Sequence, residues 1–297
     1  MHPNPTPRGA AGGDRIISLS GAPYDGHPVP AMLASMAACG ARHVEPAYIV
    51  GYTEPFDESS FTPAQTQQWR RWLMDAGMAC HAMSSHIDLG RDDAVDVFRG
   101  RMDFARGLGA EVINTNAAAR KLKKRFFANI EVLARHAESI GLRIGLENPG
   151  DGSDNLLNTA ADGPGLLADI GHPMVGLNYD AGNTISHRPG VVVPADDALA
   201  AMAQCLHTHI KDVRRDDNGY FFTPLGQGQI DCARILRAVA QTDLNLSIEI
   251  PLRLHRQPNA QPSRAPYRVP IADIEAVLRP ALAFVNEHLG APVALAA

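Results

Sequence analysis

Four short runs of the chain end in ionisable side chains at matching positions: RIGLEN at 143–148, VGLNYDAGN at 175–183, LHTHIKDV at 206–213 and LSIEIP at 246–251. Alternate residues of a β-strand face opposite sides, so each run separates aliphatic from polar. Gly145 and Glu147 oppose Ile144 and Leu146, while Gly176, Asn178 and Asp180 oppose Val175, Leu177 and Tyr179. His207, His209 and Lys211 oppose Leu206, Thr208 and Ile210; Ser247 and Glu249 oppose Leu246, Ile248 and Ile250. If the polar faces converge, three carboxylates and an imidazole share one small space. Like charges about 4 Å apart repel by roughly 4 kcal/mol at an effective dielectric near 20. Protons or a cation must therefore compensate them. Three carboxylate oxygens and one imidazole nitrogen suit a hard or borderline divalent ion, with Mn²⁺ expected first and Mg²⁺, Co²⁺, Fe²⁺ or Zn²⁺ compatible.

Such an ion, chelated by a ketone oxygen and the neighbouring hydroxyl, makes the adjacent C–H acidic. Glu147 and Glu249, from runs separated by two others, could take a proton from carbon and return one. Return to the opposite face would epimerise the carbon, and return to the neighbouring carbon would move the carbonyl. Departure of a β-hydroxyl gives dehydration, and loss of CO₂ from a β-keto acid uses the same enolate chemistry.

The elements that must position these groups follow from a repeat. Strand-like runs begin near Arg15, His43, Ala79, Glu111, Arg143, Val175, Leu206 and Leu246, with helical patterns between them. Phe126, Ile130, Leu133, Ala137 and Ile140 form one apolar stripe between Lys121 and Ile140. Thr62 and Pro63 open another helix, and Gly77, Gly109, Gly141 and Gly171 each stand just before a strand, where helices end. Eight such units close into a parallel barrel or spread into an open sheet. The segment after the first strand, SGAPYDGHP, has no phosphate-binding glycine motif. The expected fold is therefore α/β, a single-domain (β/α)₈ TIM barrel over residues 14–290, with tails at 1–13 and 291–297. In a barrel the aliphatic faces meet the helices, which turns the ionisable set inward at the C-terminal mouth. Glu45 in HVEPAY and His86 in SSHIDL end their strands toward the same mouth. The Pro-rich stretch 253–270 reads as a solvated loop, whose Arg253, Arg256, Arg264 and Arg268 could otherwise collect an anionic substrate group or reach a partner subunit.

Among 297 residues, Lys plus Arg is 27 and Asp plus Glu is 32, a net charge of −5. That balance argues against gripping nucleic-acid backbones, and no apolar run approaches the roughly 20 residues of a membrane span. The four cysteines show no ligand spacing, so reduced thiols in a cytoplasm are expected. The sequence leaves a homo-oligomer open.

Taken in order, LEN (146–148), NYDAGN (178–183), HTHIKD (207–212), PLGQGQID (224–231) and IEIP (248–251) carry a resemblance. From about Arg15 to Leu289 the chain resembles the xylose isomerase-like barrel superfamily of sugar (phosphate) isomerases and epimerases. The resemblance implies that Glu147, Asp180, His209 and Glu249 hold one divalent ion, with His207 supporting the site or facing substrate. It also implies substrate contacts from Lys211, Arg215, His86 and Glu45, although Lys211 could equally form a salt bridge to Glu147 or Asp180. Two positions depart from the ketose 3-epimerases: Asn183 stands where they carry histidine, and Lys211-Asp212 where they carry Gly-Glu. HIKDVR is closer to the inosose dehydratase branch. The implied partner is a small-molecule sugar or polyol, with no nucleic acid and no membrane. Abasic-site endonucleases share this barrel but need a three-zinc cluster and a basic face, and a non-catalytic sugar-binding barrel would keep its affinity after chelation. The expected activity is a metal-dependent sugar isomerase or epimerase with Glu147 and Glu249 as acid and base. The alternative is a metal-dependent lyase, a dehydratase of keto-polyols or a decarboxylase of keto acids.

Overall fold

The computed structural model describes residues 15–290; the tails expected at 1–13 and 291–297 lie outside the described residues. All eight expected strands form, and they close into a barrel. They are β1 (Ile17–Ser20), β2 in two pieces (His43–Glu45 and Ala47–Ile49), β3 in two pieces (Ala79–Cys80 and Ala82–His86), β4 (Val112–Asn116), β5 (Arg143–Glu147), β6 (Val175–Asp180), β7 (Cys205–Ile210) and β8 (Asn245–Ile248). Every neighbouring pair is parallel. The two pieces of β2 and of β3 pair with each other, which joins the ends of the sheet into a ring. Pro46 interrupts β2 because it has no N–H to give to the ladder, while its carbonyl still accepts the Ser84 amide at 2.9 Å.

The helices follow the sequence signals. α1 (Val29–Ala38), α2 (Pro63–Asp75), α3 (Ala94–Leu108), α4 (Lys123–Ile140) and α5 (Gly163–Ile170) are joined by α6 (Ala181–His187), α7 (Pro194–Ala201), α8 (Cys232–Val239) and α9 (Ile271–Leu289). The Thr62 hydroxyl caps α2 by accepting the Gln65 amide. Gly109, Gly141 and Gly171 end α3, α4 and α5 in the left-handed conformation that favours glycine. Phe126, Ile130, Leu133 and Ala137 of α4 are buried against the sheet. The outer strand faces supply the other side of that core through Met83, Ile113, Ile144, Leu146, Leu177 and Ile248. The barrel interior is therefore left to the polar faces.

One element was not expected. Asp212–Asp216, Gly219–Thr223, Leu254–Arg256 and Pro262–Arg264 form a four-stranded antiparallel sheet. This corrects the reading of 253–270 as a solvated loop. Arg253 and Arg256 are buried, and Arg253 and Arg264 pair with Asp25 and Glu54. The PLGQGQID motif is explained by the same region. The Asp212 carboxylate accepts the backbone N–H groups of Val213, Gly226, Gly228 and Ile230 at 2.9–3.0 Å. A Cβ on Gly228 would stand 2.2 Å from Asp212 Oδ1, so glycine is required for that close approach. Substituting Asp212→Ala would strand buried amides at about 1–3 kcal/mol each. We expect a melting temperature lower by several degrees, read by differential scanning calorimetry, and Asp212→Asn to recover only part of the loss.

Candidate metal centre

The centre is built from the mouth ends of β5 to β8. Glu147 is the last residue of β5, Asp180 the last of β6, His209 lies in β7 and Glu249 follows β8 directly. All four are buried, and one ligand atom from each lies within 4.8 Å of the others. The His209 ring is at the middle of the cluster. Its Nδ1 is 3.3 Å from Glu147 Oε2, 3.5 Å from Glu249 Oε2 and 3.9 Å from Asp180 Oδ2.

What aims that ring is Glu45. Its Oε1 lies 3.0 Å from His209 Nε2 and accepts Ser84 Oγ–H at 2.5 Å and the Asn114 amide at 3.0 Å. A carboxylate holding the far nitrogen of a histidine fixes which nitrogen is offered to a metal. Glu45 is wholly buried, which corrects its expected place at the substrate mouth: it supports His209 from below. His207 is likewise buried, with Nε2 2.8 Å from Ser247 Oγ and 3.4 Å from Glu45 Oε2. It does not face the cavity.

Glu147 is held by amides: Asn178 Nδ2 donates to Oε2 at 2.7 Å and Asn183 Nδ2 to Oε1 at 3.0 Å. Asp180 Oδ1 caps α6 by accepting the amides of Gly182 and Asn183, leaving Oδ2 to the centre. Lys211 lies 2.6 Å from Asp180 Oδ2 and donates to Glu249. Its side chain arches over Gly182, where a Cβ would meet Lys211 Cγ at 2.3 Å. The salt bridge to Asp180 was one of the two roles foreseen for Lys211, and the bond to Glu249 was not. His86 Nε2 is 3.4 Å from Glu147 Oε2. Arg215 is exposed, lies over the Tyr220 ring and is not brought to this cluster. The hairpin Asp212–Thr223 turns it outward.

The charges record the strain of this gathering. Burial would raise Glu147, but His209 and His86 outweigh it and hold it below the usual carboxylate range. Glu249 is likewise held low against burial by Lys211 and His209. Burial pushes Asp180 up to about 6 in spite of Lys211. His209 is raised well above the ordinary imidazole value, because Glu45, Glu147 and Glu249 overcome its burial. Protonated His209 and Lys211 are thus the cations that balance the carboxylates. Asp180 Oδ2 has only the Lys211 ammonium beside it, and His209 Nδ1 has only the carboxylates of Glu147, Glu249 and Asp180 within 4 Å, so one ligand atom from each of the four residues is left to a shared position. Three carboxylate oxygens and an imidazole nitrogen at that spacing fit a divalent ion.

Above the centre opens a cavity of about 320 Å³, lined among others by His86, Glu147, Asn183, Lys211, Glu249 and Arg256. Tyr52 was not singled out in the sequence, Asn183 was noted only as a departure from the epimerase pattern, and Arg256 only as one of four arginines that could collect an anion.

A family model for the xylose isomerase-like TIM barrel matches residues 33–268. The chain belongs to this family. A comparison of the sequence with curated proteins finds no match. Solved structures of similar fold include L-ribulose 3-epimerase, 20% identical over 93% of this chain and 94% of that one, with a TM-score of 0.67. A xylose isomerase-like TIM barrel protein from Mycobacterium smegmatis in complex with magnesium is 17% identical over 93% and 98%, with a TM-score of 0.69. The probable 3-DHS dehydratase of petrobactin synthesis from Bacillus anthracis is 14% identical over 91% and 98%, with a TM-score of 0.68. At these identities the likeness is one of fold. Among the described residues, no helix is long and apolar enough to cross a membrane.

Mn²⁺ at a hundred times its dissociation constant should stabilise the fold by about 2.7 kcal/mol, read as a rise in melting temperature that EDTA reverses. Asp180→Asn should abolish the rise, and Glu45→Gln should weaken Mn²⁺ binding by about ten- to a hundredfold in calorimetry. A second expectation concerns pH. Burial lowers His81 and His187 to about 4, and His187 bridges Gly152 and Asn158 beside the cavity. The native state holds both rings neutral, so the unfolded chain binds protons first, and stability rises with pH between about 4 and the ordinary value near 6.5. Denaturant unfolding should show wild type losing stability from pH 7 to 5, with a smaller loss in His187→Gln.

Proposed function

We propose that this protein is a divalent-metal-dependent isomerase or epimerase of a keto-sugar or related polyol ketone, with Glu147 and Glu249 as its acid and base. The observation that carries this reading is the pair itself. Both glutamates line the same cavity while their inner oxygens converge on His209 Nδ1. Glu147, Asp180, His209 and Glu249 would hold the ion, with Mn²⁺ first and Mg²⁺ compatible. When bound, the ion supplies Lewis-acid polarisation of a carbonyl and its neighbouring hydroxyl.

The chain's own residues supply the proton chemistry. Glu147 is kept ionised and oriented by the amides of Asn178 and Asn183, which suits it to accept a proton from carbon. Glu249 stands across the cavity with Lys211 at its carboxylate, so a proton delivered from that side is replaced from an ammonium in contact. His86 closes the wall beside Glu147. Cys39, Cys80, Cys205 and Cys232 are free thiols, which suits a reducing compartment such as the cytoplasm.

Lys211 also favours a second reading. An ammonium at the cavity wall can protonate a departing hydroxyl, which would make the enzyme a lyase of a keto-polyol or keto acid on the same scaffold. Proton NMR in D₂O separates the two, since an isomerase or epimerase exchanges carbon-bound hydrogen while conserving mass, and a lyase releases water or CO₂. Against a panel of ketoses and inososes with Mn²⁺, Glu147→Gln and Glu249→Gln should each lower turnover by roughly a hundred- to ten-thousandfold, with unchanged far-ultraviolet circular dichroism. Wild-type rates in either variant would remove that glutamate from the mechanism.

A further inference from the structure

Arg256 is the one arginine of the capping sheet that lines the cavity. It is 2% exposed, and its placement is rigid. It ends the strand Leu254–Arg256, pairs with Tyr220 of the neighbouring strand, and lies against Gly150, where a Cβ would stand 2.3 Å from Cζ. The rings of Tyr52 and Phe222 flank it, with centroids 5.3 and 6.0 Å from Cζ. Its hydrogen bonds go only to neutral acceptors: Nη1 donates to Tyr52 Oη at 2.6 Å and Nη2 to Asn183 Oδ1 at 2.9 Å.

A guanidinium carries five N–H donors and keeps its charge. A buried cation without a counter-ion is costly. Arg253 and Arg264 in the same region meet that cost with Asp25 and Glu54, and Arg91, which also lines the cavity, pairs with Asp93. Arg256 has no ion-pair partner among the described residues, and it lines the cavity. Asn183 links it to the reacting end, donating to Glu147 Oε1 at 3.0 Å while accepting from Arg256.

We propose that the substrate is an acid: a keto-polyol bearing a carboxylate, held by Arg256 one side chain (Asn183) away from the metal ligand Glu147. This rests on the reading of the same cavity as the active site and narrows its substrate class. A carboxylate is favoured over a phosphate because a single guanidinium fork matches its two oxygens. Asp88 and Asp151, which also line the cavity, would repel a dianion more than a monoanion.

The test uses three probes of one carbon skeleton: gluconate, sorbitol and sorbitol 6-phosphate, titrated calorimetrically into the protein with and without Mn²⁺. Wild type should bind gluconate about tenfold or more tighter than sorbitol, as a charge-assisted pair requires. Arg256→Gln should erase that preference while sorbitol affinity stays within about twofold, and Arg256→Lys should restore part of it. Equal affinity for gluconate and sorbitol in wild type, no gluconate binding, or a preference that survives Arg256→Gln would overturn the proposal. Tighter binding of sorbitol 6-phosphate than of gluconate would overturn the choice of carboxylate. The metal is judged separately by Mn²⁺ titration alone. A protein that binds no Mn²⁺ yet prefers gluconate through Arg256 would lose the metal reading and keep this one.

Discussion

Four carboxylates, Glu45, Glu147, Asp180 and Glu249, surround one buried imidazole, and most of the surrounding structure serves to keep that gathering folded. Each anion removed from water needs a cation or several donors within reach. The barrel meets the need in layers. Ser84 and Asn114 serve Glu45, Asn178 and Asn183 serve Glu147, and the α6 amides serve Asp180. Lys211 spans Asp180 and Glu249. The interior of a parallel barrel is normally filled by branched aliphatic side chains. Here the apolar packing has moved wholly to the helix side, and the strand glycines make room within. A Cβ on Gly145 would stand 2.4 Å from Asn114 Oδ1.

The capping sheet extends this arrangement to the mouth. It grows directly from β7, with Lys211 as the single residue between the barrel strand and the cap strand. The same turn therefore places an ammonium in the centre and, through Asp212, ties down the Pro224–Asp231 loop. Arg256 reaches the cavity from the other side of this sheet. The cap thus positions two cations on the cavity, both within reach of Asn183 Oδ1, one neutralised by carboxylates and one not.

The closing half of the barrel was legible in the sequence because strand alternation is a local signal with a fixed period. Ile144, Gly145, Leu146 and Glu147 already state which face is which. Choosing His209 over His207 needed the resemblance, because alternation places both on one face, and only the depth of Glu45 and Ser247 separates their roles. Depth also hid the part played by Glu45: its strand position fixes its side of the sheet but not its distance from the mouth. The capping sheet was illegible for a different reason. Its strands are three to five residues long, and the two short hairpins they form, Asp212–Thr223 and Leu254–Arg264, are joined by a pairing across more than thirty residues of chain. The Pro-rich composition of 253–270 reads as solvent-facing, so the anion-collecting role open to Arg256 was ranked behind solvation, and Arg215, near the motif that carried the resemblance, was chosen as the substrate contact. Register then turned Arg215 outward and Arg256 inward.

Proton traffic in the cavity is constrained by two side chains that depart from the ketose 3-epimerase pattern. Asn183 is an amide with no proton to exchange. It can orient Glu147 and Arg256, but it leaves acid–base work on that side to Glu147 and His86. On the other side Lys211 and Glu249 are in contact, and an ammonium paired with a carboxylate can hand its proton to either carbon or oxygen. On the proposed function, abstraction would fall to the amide-held Glu147 and protonation to the lysine-paired Glu249. A substrate fixed by one end on Arg256 would meet these groups in a single orientation. The proposed anchor would then decide which carbon is deprotonated and which atom receives the proton in return.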